Sequence, residues 1–143
     1  MQIYFRQIYA QSRVNFPFSH VFQKFMSDSI TKFVEPSLKF LKGHGEDWDL
    51  TFNISAKWQL AVNEIVGPAR FRKDKSVEYS IFLPHTPIMQ QAEPNRCALE
   101  HLFEGVYEVL GGYEIDVSKL KAEQVNIINE VMTSSEMFEK EGE

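Results

Sequence analysis

The chain has 143 residues, 43% hydrophobic and 24% charged, a balance that suits one globular domain spanning 1–143 and excludes a disordered or low-complexity polymer. Its single cysteine, Cys97, excludes an internal disulfide and fits a reducing compartment, and no apolar run has the length of a membrane span. Residues 1–88 hold 11 Lys and Arg against 8 Asp and Glu, while residues 89–143 hold 4 against 12, so the net −5 divides into +3 and −8. An acidic C-terminal third disfavours direct nucleic-acid binding there and leaves a basic partner or a solvated acidic surface.

In chain order, residues 2–9 alternate loosely and predict a first strand. Met1 to Ala10 has no continuous apolar stretch of the kind a signal peptide carries, so the expected location is the cytoplasm. Phe18, Val21, Phe22, Phe25, Met26, Ile30 and Phe33 recur every three or four residues, the spacing of an amphipathic helix with an aromatic stripe. Pro36 ends it. Ser37 to Lys42 reads as a second short helical piece closed by Gly43 and Gly45.

From Trp48 to Val62 every even position is apolar (Trp48, Leu50, Phe52, Ile54, Ala56, Trp58, Leu60, Val62), and nearly every odd one is polar. Period two gives one buried and one wet face, which points to an antiparallel sheet. Fifteen residues exceed the usual strand, so the run is either one long bent strand or turns near Ala56 to Gln59. Gly67-Pro68 predicts a break or bulge, Arg72 to Lys75 a hairpin tip, and Val77 to Leu83 a further strand ended by Pro84 and Pro87.

Residues 84–95 read as a loop, with Asn95 as N-cap of the next helix. Ala98, Leu99, Leu102, Phe103, Val106, Val109 and Leu110 form that helix's apolar side, and Gly111-Gly112 stops it. Tyr113 to Val117 suggests a short extended link. Leu120, Gln124, Ile127, Ile128 and Val131 mark another helix, and Thr133-Ser134-Ser135-Glu136 has the capping-box pattern of a last short one. Clustered strands followed by clustered helices predict an α+β fold, an antiparallel sheet of about four to five strands covered by amphipathic helices.

The sequence carries no recognisable catalytic or metal motif. Cys97 and His101 stand four apart on one helix, but two ligands do not make a zinc site. As nucleophile and base they would need a third orienting group, and Glu100 and Glu104 would raise the thiol pKa. There is no Gly-rich phosphate loop, and no cofactor is implied. Asp47 and Asp49 flank Trp48 and would share a face if the strand has begun there, as an acid–base pair or simply an acidic strand start. Arg70, Arg72, Lys73 and Lys75, with Phe71 among them, could touch phosphate, or form a solvated turn that protects a sheet edge.

Glu100, Glu104 and Glu108 stand at i, i+4 and i+8 with Tyr107 beside them. Each like-charge pair costs roughly 0.2–0.5 kcal/mol, and Glu108 lies at the helix end where the dipole disfavours it. A row that opposes local stability suggests a partner supplying positive charge; the other readings are a solvated face or pairing with the basic hairpin.

Trp48-Asp49-Leu50-Thr51-Phe52-Asn53-Ile54 and Glu78-Tyr79-Ser80-Ile81-Phe82-Leu83-Pro84, in a small acidic α+β chain, resemble a bacterial immunity protein of contact-dependent growth inhibition and related polymorphic toxin systems. The resemblance implies a cytoplasmic inhibitor that binds one cognate toxin domain. Such toxins are often nucleases, ribonucleases foremost, with basic active sites over which an acidic surface would dock. The candidate contacts are Glu100, Glu104, Tyr107 and Glu108, then Asp47 and Asp49, with Tyr107 as aromatic anchor. This reading involves no direct nucleic-acid contact and no membrane. Two alternatives are a small enzyme with a pocket between sheet and helices, using His85, Asp49 and Tyr79, and a regulatory or assembly subunit.

Overall fold

The computed structural model describes residues 1–7, 16, 18–34 and 40–139. The elements run β1 (Ile3–Gln7), α1 (His20–Val34), β2 (Phe40–Leu41), β3 (Gly45–Glu46), β4 (Asp49–Lys57), β5 (Glu64–Phe71), β6 (Ser76–Pro84), α2 (His85–Met89), α3 (Pro94–Gly112) and α4 (Ser118–Thr133). The fold is α+β. Four strands form one sheet in the order β1-β4-β6-β5, and β2 and β3 form a separate two-stranded ribbon.

The sheet is mixed rather than antiparallel. β1 pairs with β4 and β4 with β6 in parallel, and only β5 runs antiparallel to β6. Period two records that a strand has one dry and one wet face; it carries no information about strand direction. Parallel sheets usually read as continuous apolar runs because helices cover both faces. Among the described elements, the helices here cover only one.

On that face Ile3, Phe5, Leu50, Phe52, Ile54, Ala56, Val77, Ile81 and Leu83 join Phe22, Met26 and Ile30 of α1, Leu99, Leu102, Phe103 and Val106 of α3 and Leu120 and Val131 of α4 in one core. Burying a side chain such as Phe52 stabilises the fold by about 1.5–3 kcal/mol. Gly105 lets α3 close on the sheet, since a Cβ there would come within 2.9 Å of Ile81 Cγ2.

The opposite face is polar. Asn53 Nδ2 donates to Glu78 Oε1 at 2.8 Å, and Arg6 bonds the same oxygen at 3.1 Å. Lys57 pairs with Glu64 at 2.6 Å and lies 4.2 Å from the Phe82 ring centroid.

Both sheet edges are guarded. Along β1, α1 supplies the missing partners: Thr31 Oγ1 accepts from Ile3 N at 3.1 Å, Ser27 Oγ donates to the Ile3 carbonyl, and Gln23 Oε1 accepts from Gln7 N at 3.1 Å. β5 shifts register between Val66 and Ala69, at the cis Gly67–Pro68 peptide. Gly67 has φ 150°, and a Cβ there would meet Tyr79 Cδ1 at 2.8 Å. Glycine alone fits both demands.

Several boundaries differ from the sequence reading. The first strand is described only to Gln7, so the expected residues 8 and 9 lie outside the described residues, as does 37–39 of the expected short helix. Of that helix's remainder, Phe40–Leu41 is strand: Gly43 takes φ 85°, His44 N donates to Leu41 O at 2.9 Å, and the chain forms a hairpin. The long alternating run follows the second of its two expected courses: the strand ends at Lys57 and the chain turns at Trp58 and Gln59, so Trp58 and Val62 are exposed despite their even numbers. The expected 84–95 loop contains α2, and α3 starts at Pro94, with Glu93 rather than Asn95 as N-cap; proline suits the first helical turn because its missing N–H needs no partner there. The expected link Tyr113 to Val117 begins as a turn at Tyr113 and Glu114 and continues as coil. Among the described residues, the capping-box sequence opens no helix. Thr133 ends α4, its hydroxyl bonding back to Asn129 O, and the chain folds on to a bridge between Phe138 and Phe18.

Candidate functional site

α3 presents its apolar side to the sheet, which turns the opposite side outward. Glu100, Glu104 and Glu108 are all exposed along it. Among the described residues none of the three forms an ion pair with Lys or Arg, and the basic hairpin does not reach them; Glu104 lies 3.9 Å from His101 Nδ1. The row therefore carries an open negative charge along about 12 Å of helix.

Tyr107 stands at the border of this row and is half-buried. Its hydroxyl donates to Gln124 Oε1 of α4 at 2.6 Å, and Lys121 Nζ lies 5.3 Å from the ring centroid. Burial pushes its pKa up to about 12, so the hydroxyl stays a donor. The expected anchor is thus engaged in holding α3 to α4.

Asp47 and Asp49 part company. Asp47 is exposed in the turn before β4 with φ 63°, outside the strand. Asp49 opens β4, and its carboxylate accepts from Gln2 N at 2.9 Å, fixing the start of β1. They do not form an acid–base pair.

The residues of the enzyme alternative are also not gathered. Asp49 lies at the start of β4 on the polar face, and Tyr79 lies on the helix face of β6. His85 follows the far end of β6, about 30 Å along the strand from the level of Asp49 at 3.3 Å per residue. Cys97 is half-buried, its pKa raised by burial and then by Glu100 and Glu104, so it remains a thiol. His101 Nδ1 is instead within 3.1 Å of Asn63 Oδ1. Among the described residues no three His, Cys, Asp or Glu side chains converge as a metal site requires, and no helix is long and apolar enough to cross a membrane.

Two groupings were not visible in the sequence. Where the ribbon meets the end of α3, Tyr113 Oη is 2.7 Å from Tyr79 Oη and 3.3 Å from His44 Nε2, and Arg70 lies 5.2 Å from the Trp48 ring. Burial and then Arg70 lower the His44 pKa, while burial and the Tyr79 bond raise that of Tyr113, so the imidazole and the Tyr113 hydroxyl stay neutral at pH 7. This network ties the turn of the ribbon to the end of α3.

The second grouping lies beside the acidic row. Trp58, Val62 and Met89 are 52%, 71% and 50% exposed. Trp58 meets the His85 ring edge-on at 4.5 Å, and Asn63, next to Val62, donates from Nδ2 to His101 O at 2.7 Å. The alternation of Trp58, Leu60 and Val62 with polar residues made them read as core; the turn after Lys57 is what releases them. No protein-family model, curated protein or solved structure matches this chain.

Proposed function

We propose that this chain is an immunity protein: it binds a cognate toxin domain and neutralises it by laying an acidic surface over a basic active site, a ribonuclease or other nuclease being the toxin chemistry that fits. The observation that carries this reading is the row Glu100, Glu104 and Glu108, exposed along α3 without Lys or Arg partners among the described residues. Repulsion within the row is relieved when a cationic surface docks, and complementary fields speed encounter and select the partner. A nuclease active site is basic because it holds phosphate.

The test is co-expression with the polypeptide encoded immediately upstream, with growth and binding both measured. Rescue of growth together with tight binding at about 0.1 M salt, weakening toward about 1 M as the screening length falls from about 10 to about 3 Å, is the expected result. Absence of toxicity and of binding refutes the proposal.

A further inference from the structure

We propose that Trp58, Val62 and Met89 form the apolar anchor of the partner interface and that the α3 glutamates form its charged margin. The occupant is a basic protein domain that offers an apolar pocket edged by Lys or Arg. The inference rests on the inhibitor reading and adds where the binding strength resides.

Single exposed apolar residues are ordinary. These three lie on two adjoining segments, α2 and the loop that packs on it. Trp58 packs on His85, the first residue of α2, and Met89 is the last residue of that five-residue helix. Val62 follows Trp58 on the same loop. The loop is also held at both ends. Thr86 Oγ1 donates to Trp58 O at 3.2 Å, and His85 lies between Trp58 and Phe16, whose ring centroid is 5.5 Å away. At the other end both polar atoms of the Asn63 side chain bond His101, at 2.7 and 3.1 Å. An indole supported on one side and open on the other loses little freedom on binding, the condition under which aromatic residues become hot spots.

Position and charge select the occupant. Asn63 joins the loop to His101, and His101 is flanked by Glu100 and Glu104, so the loop that carries Trp58 and Val62 adjoins the acidic row. Glutamates beside the Asn63 end of this loop repel nucleic acid and anionic lipid. A second copy docked on the same patch would bring two acidic rows together. A basic protein satisfies both halves of the surface.

The experiment uses the full chain with the upstream-encoded polypeptide as probe and measures association and dissociation rates. Trp58→Ala is expected to weaken binding about 30-fold or more, mainly through faster dissociation, with the salt dependence unchanged. Val62→Ser, at a more exposed position that folding tolerates, is expected to act in the same direction. Glu104→Lys with Glu108→Lys should instead slow association and flatten the salt dependence. Tyr107→Phe should leave both rates as they are.

If the wild-type chain binds and both Trp58→Ala and Val62→Ser bind within about threefold of it, the anchor assignment is overturned while the inhibitor reading stands. If the wild-type chain does not bind the probe, the inhibitor reading fails and this surface with it. A dimer in light scattering that Trp58→Ala dissolves, or vesicle binding lost in that variant, gives the patch to another occupant and overturns the proposal.

Discussion

Thr31 does at one position what a further strand would do for β1. Its hydroxyl accepts the Ile3 N–H, which would otherwise face outward from a sheet edge. Thr31→Val keeps the shape and removes the acceptor, so about 1–3 kcal/mol of stability should be lost, measurable as a lower urea midpoint with unchanged m. Tyr107 is a milder case. Tyr107→Phe removes one bond to Gln124 and should cost about 0.5–1.5 kcal/mol. Nothing in the spacing of Tyr107 distinguished an outward-facing anchor from a helix–helix contact, because its position on the α3 face lies at the boundary between solvent and α4. The row of glutamates was legible, since a helical period alone places residues four apart on one side.

At the scale of elements, α3 meets two demands, one of packing and one of the proposed role: its apolar side approaches β6 closely, and partner binding would require its acidic side to stay open. Gly105 meets the first. Gly105→Val would drive a branched side chain into Ile81 and should cost about 1–3 kcal/mol by thermal or chemical unfolding, without changing partner affinity when the folded fraction is accounted for. The apolar positions of α1, α3 and α4 were readable because a helix facing one sheet buries one stripe. The short elements were not. β2 and β3 arise from a turn at Gly43 and from the His44 network with Tyr113, which joins residues far apart in sequence. α2 occupies a stretch whose Pro and Gln content reads as loop.

For the whole molecule, charge and protonation set the conditions under which it works. His44 and His85 both have pKa values lowered, first by burial and for His44 also by Arg70. The unfolded chain therefore takes up protons near the ordinary histidine value before the folded chain does. Stability from keeping these rings neutral is present above that value and is lost as pH falls through it toward the lower folded pKa. Unfolding temperature should fall between about pH 7 and about pH 5, and the fall should be shallower in His44→Gln/His85→Gln. The division of charge along the chain was plain from composition. That its acidic part includes a row on one helix without Lys or Arg partners among the described residues, joined through His101 to the 58–63 loop, depends on where the hairpin and that loop come to rest.

The sequence by itself determined the α+β class, the buried stripes of three helices, the buried faces of β4 and β6, and the break at Gly67-Pro68. Each follows from local periodicity or local backbone freedom, which neighbouring residues fix among themselves. Tertiary structure alone decided strand direction, because parallel and antiparallel partners impose the same alternation on a strand whose sheet is wet on one side. It also decided that Trp58 and Val62 leave the core, since the alternating pattern continues past Lys57 while the strand does not. The separation of Asp49 from His85, and the joining of Asn63 to His101, are distances through space that no spacing along the chain encodes.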